Sequence, residues 1–322
     1  MSGIGGFFPA DSLPPGLPGA SVLDAWSQGA ARVDLVTNGR SALYLAFRAL
    51  HERGFHRARL PAFVCPSVLR AALKGGLEVR FHDVLPDLGP DVRDVGPRDV
   101  VLFVDYFGRI PPSAVALRRR HDAVPLIEDR AQALQAGDPV GDVLVYSPRK
   151  LTGTGEGGVL VQMTRALSFE PALGRPRARE LPVTWSAFRA KESLQRISTR
   201  RMSPLVERHL RRLDLDALAR RRRDNHGVLS RHAPVTPLFR ARGEGFAPLG
   251  LPIVVPDAVE TQRALAVRGV FAARYWPHLP AGDGDFPVTR AMAAQVLLLP
   301  CDQRYGAEEM LRVARAVAEV LS

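Results

Sequence analysis

No feature of this chain limits its fold more than the alternation of short apolar, β-branched runs with helical patterns. Residues 100–104, 124–127 and 143–146 are predicted strands, and residues 113–121 are a predicted helix between the first two. A strand, a helix and a further strand in this order are typical of βαβ units, whose crossover connections make neighbouring strands parallel. The sequence therefore predicts an α/β fold with a mostly parallel central sheet.

The length and the later pattern indicate a second, smaller unit. A chain of 322 residues is longer than a single core usually requires. We predict a large α/β domain with an N-terminal arm over residues 1–230 and a small α+β domain over residues 231–322. Further predicted elements are a strand at 251–255 and helices at 40–51, 66–74, 259–268 and 306–321.

Composition excludes several classes of protein. Cys65 and Cys301 are the only cysteines, which are too few for a disulfide framework or a cysteine-based zinc site, and we expect no metal. The N-terminal residues lack a basic segment followed by an apolar run, and no stretch approaches 18 uninterrupted apolar residues. We expect a cytoplasmic protein that is neither secreted nor inserted in a membrane.

The net charge of +11 is concentrated in one part of the chain. Residues 189–231 hold thirteen basic and five acidic residues, with apolar positions at roughly helical spacing. No aromatic residue occurs between Phe188 and Phe239, so the stacking side chains of single-strand nucleic-acid binders are missing. We interpret the segment as a solvated, arginine-rich helix face and expect no nucleic-acid partner. A site for an anionic substrate or partner is the alternative.

Lysine is rare in this chain, which makes Lys150 conspicuous. Of 44 basic residues only Lys74, Lys150 and Lys191 are lysines. Arginine cannot be deprotonated in a protein, whereas a lysine amine can lose its proton and attack a carbonyl to form a Schiff base. From composition alone, Lys150 is either such a nucleophile or an ordinary surface lysine.

A glycine-rich run, GTGEGG, follows Lys150 at residues 153–158. It matches the spacing of a dinucleotide-binding loop, but that loop must open directly into a helix. Residues 159–161 are Val-Leu-Val and predict a strand instead. We therefore interpret the run as a tight turn that returns the chain to the sheet, not as a nicotinamide site.

Three other stretches suit an aromatic cofactor that carries a phosphate. Thr37, Asn38 and Gly39 lead into a helix, whose first amides bind phosphate well, although an ordinary capped helix has the same pattern. Residues 128–129, Glu-Asp, end a buried strand, where ligands bind in open α/β sheets and where a helix-capping Asp is the alternative. Phe63 offers a ring that could stack on the cofactor or lie in the core.

Taken in this order, these stretches resemble the DegT/DnrJ/StrS family of sugar aminotransferases, which use pyridoxal 5'-phosphate and have fold type I. The resemblance covers most of the chain, but the GYNYRMSELQAA-like stretch common in the family is absent, and residues 165–205 differ. The segments that carry it are TNGRSALYLAFRAL, LPAFVCPSVLRAAL, FVDYFGRIP, PLIEDRAQAL, KLTGTGEGG and VLLLPCDQRYGAEEM.

The resemblance assigns four side chains to the cofactor ring. Lys150 becomes the Schiff-base lysine, and Asp129 pairs with the pyridine nitrogen. Gln132 contacts the phenolic oxygen of the ring, and Phe63 stacks on the ring face. An aspartate at the ring nitrogen keeps the ring able to accept electrons, and the displaced lysine can then move the substrate's Cα proton.

The resemblance also assigns the phosphate site. Gly39, Arg40 and Ser41 occupy the phosphate-binding turn, mainly through backbone amides. Many family members carry a phosphate-binding serine five residues before the lysine, where this chain has Val145. Ser147, three residues before the lysine, matches the serine of other fold type I aminotransferases, and we assign it that role.

The resemblance implies a homodimer that transfers an amino group from an amino acid, glutamate, to a keto sugar, either free or nucleotide-linked. Because the acceptor region is the divergent one, a pyridoxal-phosphate enzyme for a non-sugar ketone stays an alternative. The basic segment keeps open a second alternative, a nucleic-acid or regulatory binding protein that retains the fold.

Overall fold

A computed structural model of the chain describes residues 3–6, 20–135, 137–176, 196–239, 246–282 and 284–322. The N-terminal arm beyond these residues, Lys191 and the first seven residues of the basic segment lie outside the described residues. Within the described part, no helix is long and apolar enough to cross a membrane.

Twelve strands and ten helices are described along these residues. The strands are β1 Ile4–Gly5, β2 Arg32–Val36, β3 Arg57–Pro61, β4 Glu78–His82, β5 Asp99–Val104, β6 Leu126–Asp129, β7 Val143–Tyr146, β8 Gly158–Gln162, β9 Thr236–Pro237, β10 Gly250–Val254, β11 Val270–Phe271 and β12 Val296–Pro300. The helices are α1 Val22–Trp26, α2 Gly39–Glu52, α3 Pro66–Lys74, α4 Pro112–Arg120, α5 Arg149–Thr152, α6 Pro204–Leu210, α7 Leu215–His232, α8 Ala258–Val267, α9 Pro287–Gln295 and α10 Ala307–Leu321.

The central sheet has seven strands in the order β2-β8-β7-β6-β5-β3-β4. Strand β8 is antiparallel to both of its neighbours, and all other pairs are parallel. Every residue of β5, β6 and β7 is buried, as expected for parallel strands covered on both faces. The predicted α/β fold with a mostly parallel sheet is confirmed.

The predicted elements occur in the chain with small shifts at their ends, and the largest shift concerns β6. Residues 124–127 were expected to form this strand, but it spans Leu126–Asp129. Val124 belongs to the preceding turn, where its amide donates to the His121 carbonyl. Pro125 has no amide to offer the sheet, so pairing through both backbone groups begins at Leu126. Asp129 is therefore the last residue of the strand.

The glycine-rich run after Lys150 forms the predicted tight turn. Gly153, Gly155 and Gly157 have φ values of 67°, 67° and 113°, a region that side chains with a Cβ rarely adopt. The chain then enters β8 at Gly158, where an added Cβ would lie 2.3 Å from the Asn38 carbonyl group. This close approach joins the turn to the start of α2.

A second hydrophobic core lies outside the central sheet. Strands β10 and β12 pair antiparallel, with β9 beside β10, and helices α7 and α10 pack against each other. Leu229 of α7 belongs to this core together with Leu251 and Val313. The division of the chain into domains at residue 231 stays a prediction.

The interpretation of the basic segment as a solvated face is wrong for one residue. Arg220 and Arg221 are exposed on α7, but Arg222 is only 1% exposed. Its Nη1 donates to the carbonyls of Pro248 and Leu249 at 3.1 and 3.2 Å, and its Nη2 donates to the carbonyl of Leu151 at 3.2 Å. Burial lowers the pKa of Arg222. This side chain connects α7 to the residue after Lys150.

We expect Arg222→Met to lower the free energy of unfolding by about 1–3 kcal/mol, because buried carbonyl groups lose their donor. Chemical denaturation measures the change. Arg221→Met, an exposed change on the same helix, is the matched control and should alter stability by less than about 0.5 kcal/mol. Equal stability of the two variants would contradict a structural role for Arg222.

Candidate active site

A cavity of about 330 Å³ lies at the carboxyl ends of the parallel strands. This is the position at which open α/β sheets bind their ligands. Its lining contains six of the eight residues that the sequence analysis assigned to a site: Gly39, Arg40, Asp129, Gln132, Ser147 and Lys150. Phe63 and Ser41 do not line it.

Lys150 lies on the short helix α5, directly after β7, and its amide donates to the Ser147 carbonyl at 3.1 Å. The side chain is partly accessible through the cavity and is otherwise enclosed by protein. Burial lowers the pKa of Lys150, while the nearby Asp129 opposes this effect; Arg149 and Arg40 lower the pKa further. The arrangement favours a neutral, nucleophilic amine.

Asp129 is the carboxylate of the cavity. Burial raises the pKa of Asp129, and the positive charge of Lys150 opposes this shift. One carboxylate oxygen, Oδ1, accepts a hydrogen bond from the Ala131 amide at 2.9 Å. The side chain is held in place and can pair with a cation in the cavity, either Lys150 or a protonated ring nitrogen of a ligand.

Gln132 is oriented by an unusual backbone conformation. Phe107 has a φ of 58°, in the left-handed region that non-glycine residues rarely adopt. Its amide donates to Gln132 Oε1 at 2.7 Å. Because an amide can only donate, this bond fixes which end of the glutamine side chain is the oxygen. The other end, Nε2, is a buried donor without a hydrogen-bond partner in the described part of the chain.

The start of α2 and Ser147 approach each other closely at one end of the cavity. Asn38 caps the helix and accepts from the Ser41 amide at 2.9 Å. A Cβ added at Gly39 would lie 3.4 Å from Ser147 Cβ and 3.6 Å from its Oγ. Helix amides, a serine hydroxyl and the cationic side chain of Arg40 together suit a phosphate.

Ser41 lies beneath this turn, fully buried. Its hydroxyl donates to Asn38 Oδ1 at 3.1 Å and accepts from the Ser198 amide at 2.9 Å. The hydroxyl is thus committed to protein partners, and a phosphate contact by Ser41, through its backbone amide, stays a prediction.

Phe63 is fully buried in a cluster of aromatic rings beside the cavity. It stacks on Tyr106 with ring centres 5.5 Å apart and meets the edge of Trp276 at 5.1 Å. Trp276 and Cys65 line the cavity, whereas Phe63 does not. Neither face of the Phe63 ring is open to the cavity. The expected stacking of Phe63 on a cofactor stays a prediction.

Several lining residues escaped the sequence analysis. Arg149 adjoins Lys150, and Cys65 and Ser67 begin α3, so their proximity to predicted residues was the available signal. The segment Arg274, Tyr275 and Trp276 comes from a distant part of the chain and had no local signal. The Ala273 amide and carbonyl both bond to Leu298 of β12, which holds this segment beside the cavity.

No family model and no curated protein matches the chain. Solved structures do match it along almost its whole length. The sugar aminotransferase CalS13 from Micromonospora echinospora is 20% identical, covers 99% of this chain and 98% of its own, and has a TM-score of 0.69.

Two further structures are similar to the chain. Helicobacter pylori PseC, an aminotransferase involved in the biosynthesis of pseudoaminic acid, is 15% identical, covers 100% and 98% of the two chains and has a TM-score of 0.74. DesI, solved in the presence of its TDP-sugar product, is 21% identical, covers 91% and 81%, and has a TM-score of 0.68. The chain therefore has the α/β fold of the sugar aminotransferases, fold type I.

Proposed function

We propose that this protein is a pyridoxal-phosphate-dependent sugar aminotransferase, a divergent member of the DegT/DnrJ/StrS family. The observation that carries the proposal is the meeting of Lys150 and Asp129 in one cavity, close enough for each charge to shift the pKa of the other. A nucleophilic amine beside a buried carboxylate is the pair that this cofactor requires.

Three observations support the fit of the cofactor. The unpaired Nε2 of Gln132 is a donor for the phenolic oxygen of the ring. The close approach of Gly39 and Ser147 forms one end of the cavity, which suits a phosphate. Asp129 is the acceptor for a protonated ring nitrogen. When bound, pyridoxal phosphate supplies an aldehyde that reacts with amines and a ring that accepts electrons.

Lys150 has two roles in this proposal. Its Nζ holds the cofactor, which needs a neutral amine, and burial and two neighbouring arginines favour that state. With a substrate amine held at the cofactor in its place, the same Nζ would be free to take up the proton of the substrate's Cα and to give it back. Asp129 would keep the ring nitrogen protonated.

The charges of the cavity support an anionic acceptor. Arg40, Arg149 and Arg274 line it with Lys150, and Asp129 is the acidic residue among its lining side chains. We propose glutamate as the amino donor and a nucleotide-linked keto sugar as the acceptor, since DesI, which has the same fold, was solved with a TDP-sugar product. We also propose a homodimer in the cytoplasm, as the family resemblance implies.

The absorption spectrum of the purified protein tests the proposal. We expect a yellow protein whose visible band changes on addition of glutamate, and borohydride should fix the cofactor to the peptide that contains Lys150. Lys74, which lies on α3 with its amine above the Tyr44 ring, is an internal control that should stay unlabelled. Labelling at Lys74 or Lys191, or no cofactor at all, would refute the assignment.

A further inference from the structure

A buried cluster of charged side chains lies behind the cavity, and the proposed mechanism does not use it. It consists of Asp105, Glu128 and Arg130, which are 0%, 0% and 5% exposed, and none of them lines the cavity. Side chains alternate along a strand, so Glu128 faces away from the side on which Asp129 is presented. The ion cluster, as we call these three residues, thus lies on the far side of β6 from the cavity.

Arg130 is the centre of the ion cluster. Its Nε donates to Glu128 Oε1 at 2.7 Å and lies 3.3 Å from Asp105 Oδ2. Its Nη1 donates to the Tyr146 hydroxyl and to the Gly137 carbonyl, both at 3.2 Å. Asp105 follows β5, Glu128 belongs to β6 and Tyr146 ends β7, so one guanidinium joins the ends of three adjacent strands.

The ion cluster is connected directly to the backbone that carries the cofactor-facing side chains. The Asp105 amide donates to the Asp129 carbonyl at 3.1 Å, and the Ala133 amide donates to the Arg130 carbonyl at 2.9 Å. In the sequence, Arg130 lies between Asp129 and Gln132. These backbone bonds link the position of Arg130 to the positions of Asp129 and Gln132, the two residues assigned to the cofactor ring.

Backbone hydrogen bonds hold the acidic part of the ion cluster in place. Glu128 Oε2 accepts hydrogen bonds from the amides of Val140 and Gly141 at 2.8 and 2.7 Å. Burial raises the pKa of Asp105 well above its usual value, and the neighbouring Glu128 adds to this shift.

We infer that Arg130 is a positioning residue for the cofactor: by joining the ends of three strands it holds Asp129 at the place of the ring nitrogen. This inference rests on the proposed function. Buried ion pairs often add little to stability, and in some proteins they serve to select one conformation. Here the specific conformation is that of the segment from Asp129 to Gln132.

The competing explanation is that Arg130 only stabilises the fold. A thermodynamic cycle separates the two. If Arg130 acts through Asp129, replacing Arg130 should weaken cofactor binding only when residue 129 is an aspartate. If it acts through general stability, its replacement should change the affinity by the same factor whether residue 129 is Asp or Asn.

The experiment measures the dissociation constant of pyridoxal phosphate by absorbance titration of the cofactor-free protein, for wild type, Arg130→Met, Asp129→Asn and the double variant. We expect Arg130→Met to weaken binding by about 10- to 100-fold, the usual effect of losing a residue that orients a ligand-binding group. In the Asp129→Asn background the same change should alter affinity by less than about twofold.

Arg118→Met is the matched control. Arg118 pairs with Asp142, whose Oδ2 accepts from the Leu126 amide, so this pair holds the opposite end of the same strand. The Arg118→Met change should therefore leave the affinity for pyridoxal phosphate unchanged. Should Arg130→Met fail to fold, Glu128→Gln loosens the same guanidinium at constant shape and replaces it in the cycle.

Additive effects in the cycle, or unchanged affinity in folded Arg130→Met, would overturn the inference while the proposed function stands. A wild-type protein that binds no pyridoxal phosphate would instead overturn the proposed function, and the inference with it. The two failures are therefore distinguishable in one set of titrations.

Discussion

Lys150→Arg lowers the rate of the half-reaction with glutamate by at least about 10³-fold, because a guanidinium neither bonds covalently to the cofactor nor accepts the substrate's Cα proton. The positive charge is kept, so any loss reports the chemistry of the amine and not its charge. Stopped-flow absorbance of the cofactor-loaded protein measures the rate. After borohydride treatment, the cofactor should resist extraction from the wild type but be removable from this variant.

Two comparisons make the Lys150 result decisive. Lys74→Arg, on the surface of α3, should keep the wild-type rate. In Lys150→Ala, an added small primary amine should restore part of the lost rate, since it can enter the cavity and act as the missing base. A Lys150→Arg protein with more than a tenth of the wild-type rate would show that another group transfers the proton.

Asp129→Asn lowers the same rate by about 10²- to 10³-fold, the usual loss when a charge that stabilises the transition state is removed. Asparagine has the same shape but is neutral at every pH, so it cannot keep the ring nitrogen of the cofactor protonated. The amide can still accept from the Ala131 backbone at Oδ1. We therefore expect a folded protein that binds the cofactor more weakly.

The control for Asp129→Asn is Asp122→Asn, an exposed change in the turn that precedes β6. It should leave both rate and affinity unaltered. A near-normal half-reaction in Asp129→Asn would mean that another residue pairs with the ring nitrogen. Thermal melting of both variants establishes that a slow rate is not caused by unfolding.

The strands that sequence patterns identified are those buried on both faces. Residues 100–104 and 143–146 are continuous apolar runs, and such runs are visible without knowing their partners. Strands β3 and β4 were missed, since their sequences, RARLP and EVRFH, mix charged and apolar residues. Both lie toward one edge of the sheet, where alternate residues are partly buried in β3 or exposed in β4, so the apolar signal is weak.

Local patterns singled out three of the six site residues that line the cavity: Asp129 ends a buried strand, Lys150 follows another, and Gly39 begins a helix. Arg40, Gln132 and Ser147 were assigned only by the family resemblance. Phe63 shows the limit of such signals. Only one residue, Val64, separates it from Cys65, which lines the cavity, yet no local pattern decides which of the two faces a ligand and which faces the core.

The sequence by itself determined the alternation of strands and helices, the tight turn after Lys150 and the polar residues at the strand ends, because these depend on interactions within a few residues. Only the tertiary structure decided that Trp276 joins the cavity, that Arg222 is buried and that Arg130 connects three strands. These features depend on contacts between segments that are distant along the chain. Burial and charge pairing at such contacts arise when the strands assemble, and no local pattern encodes them.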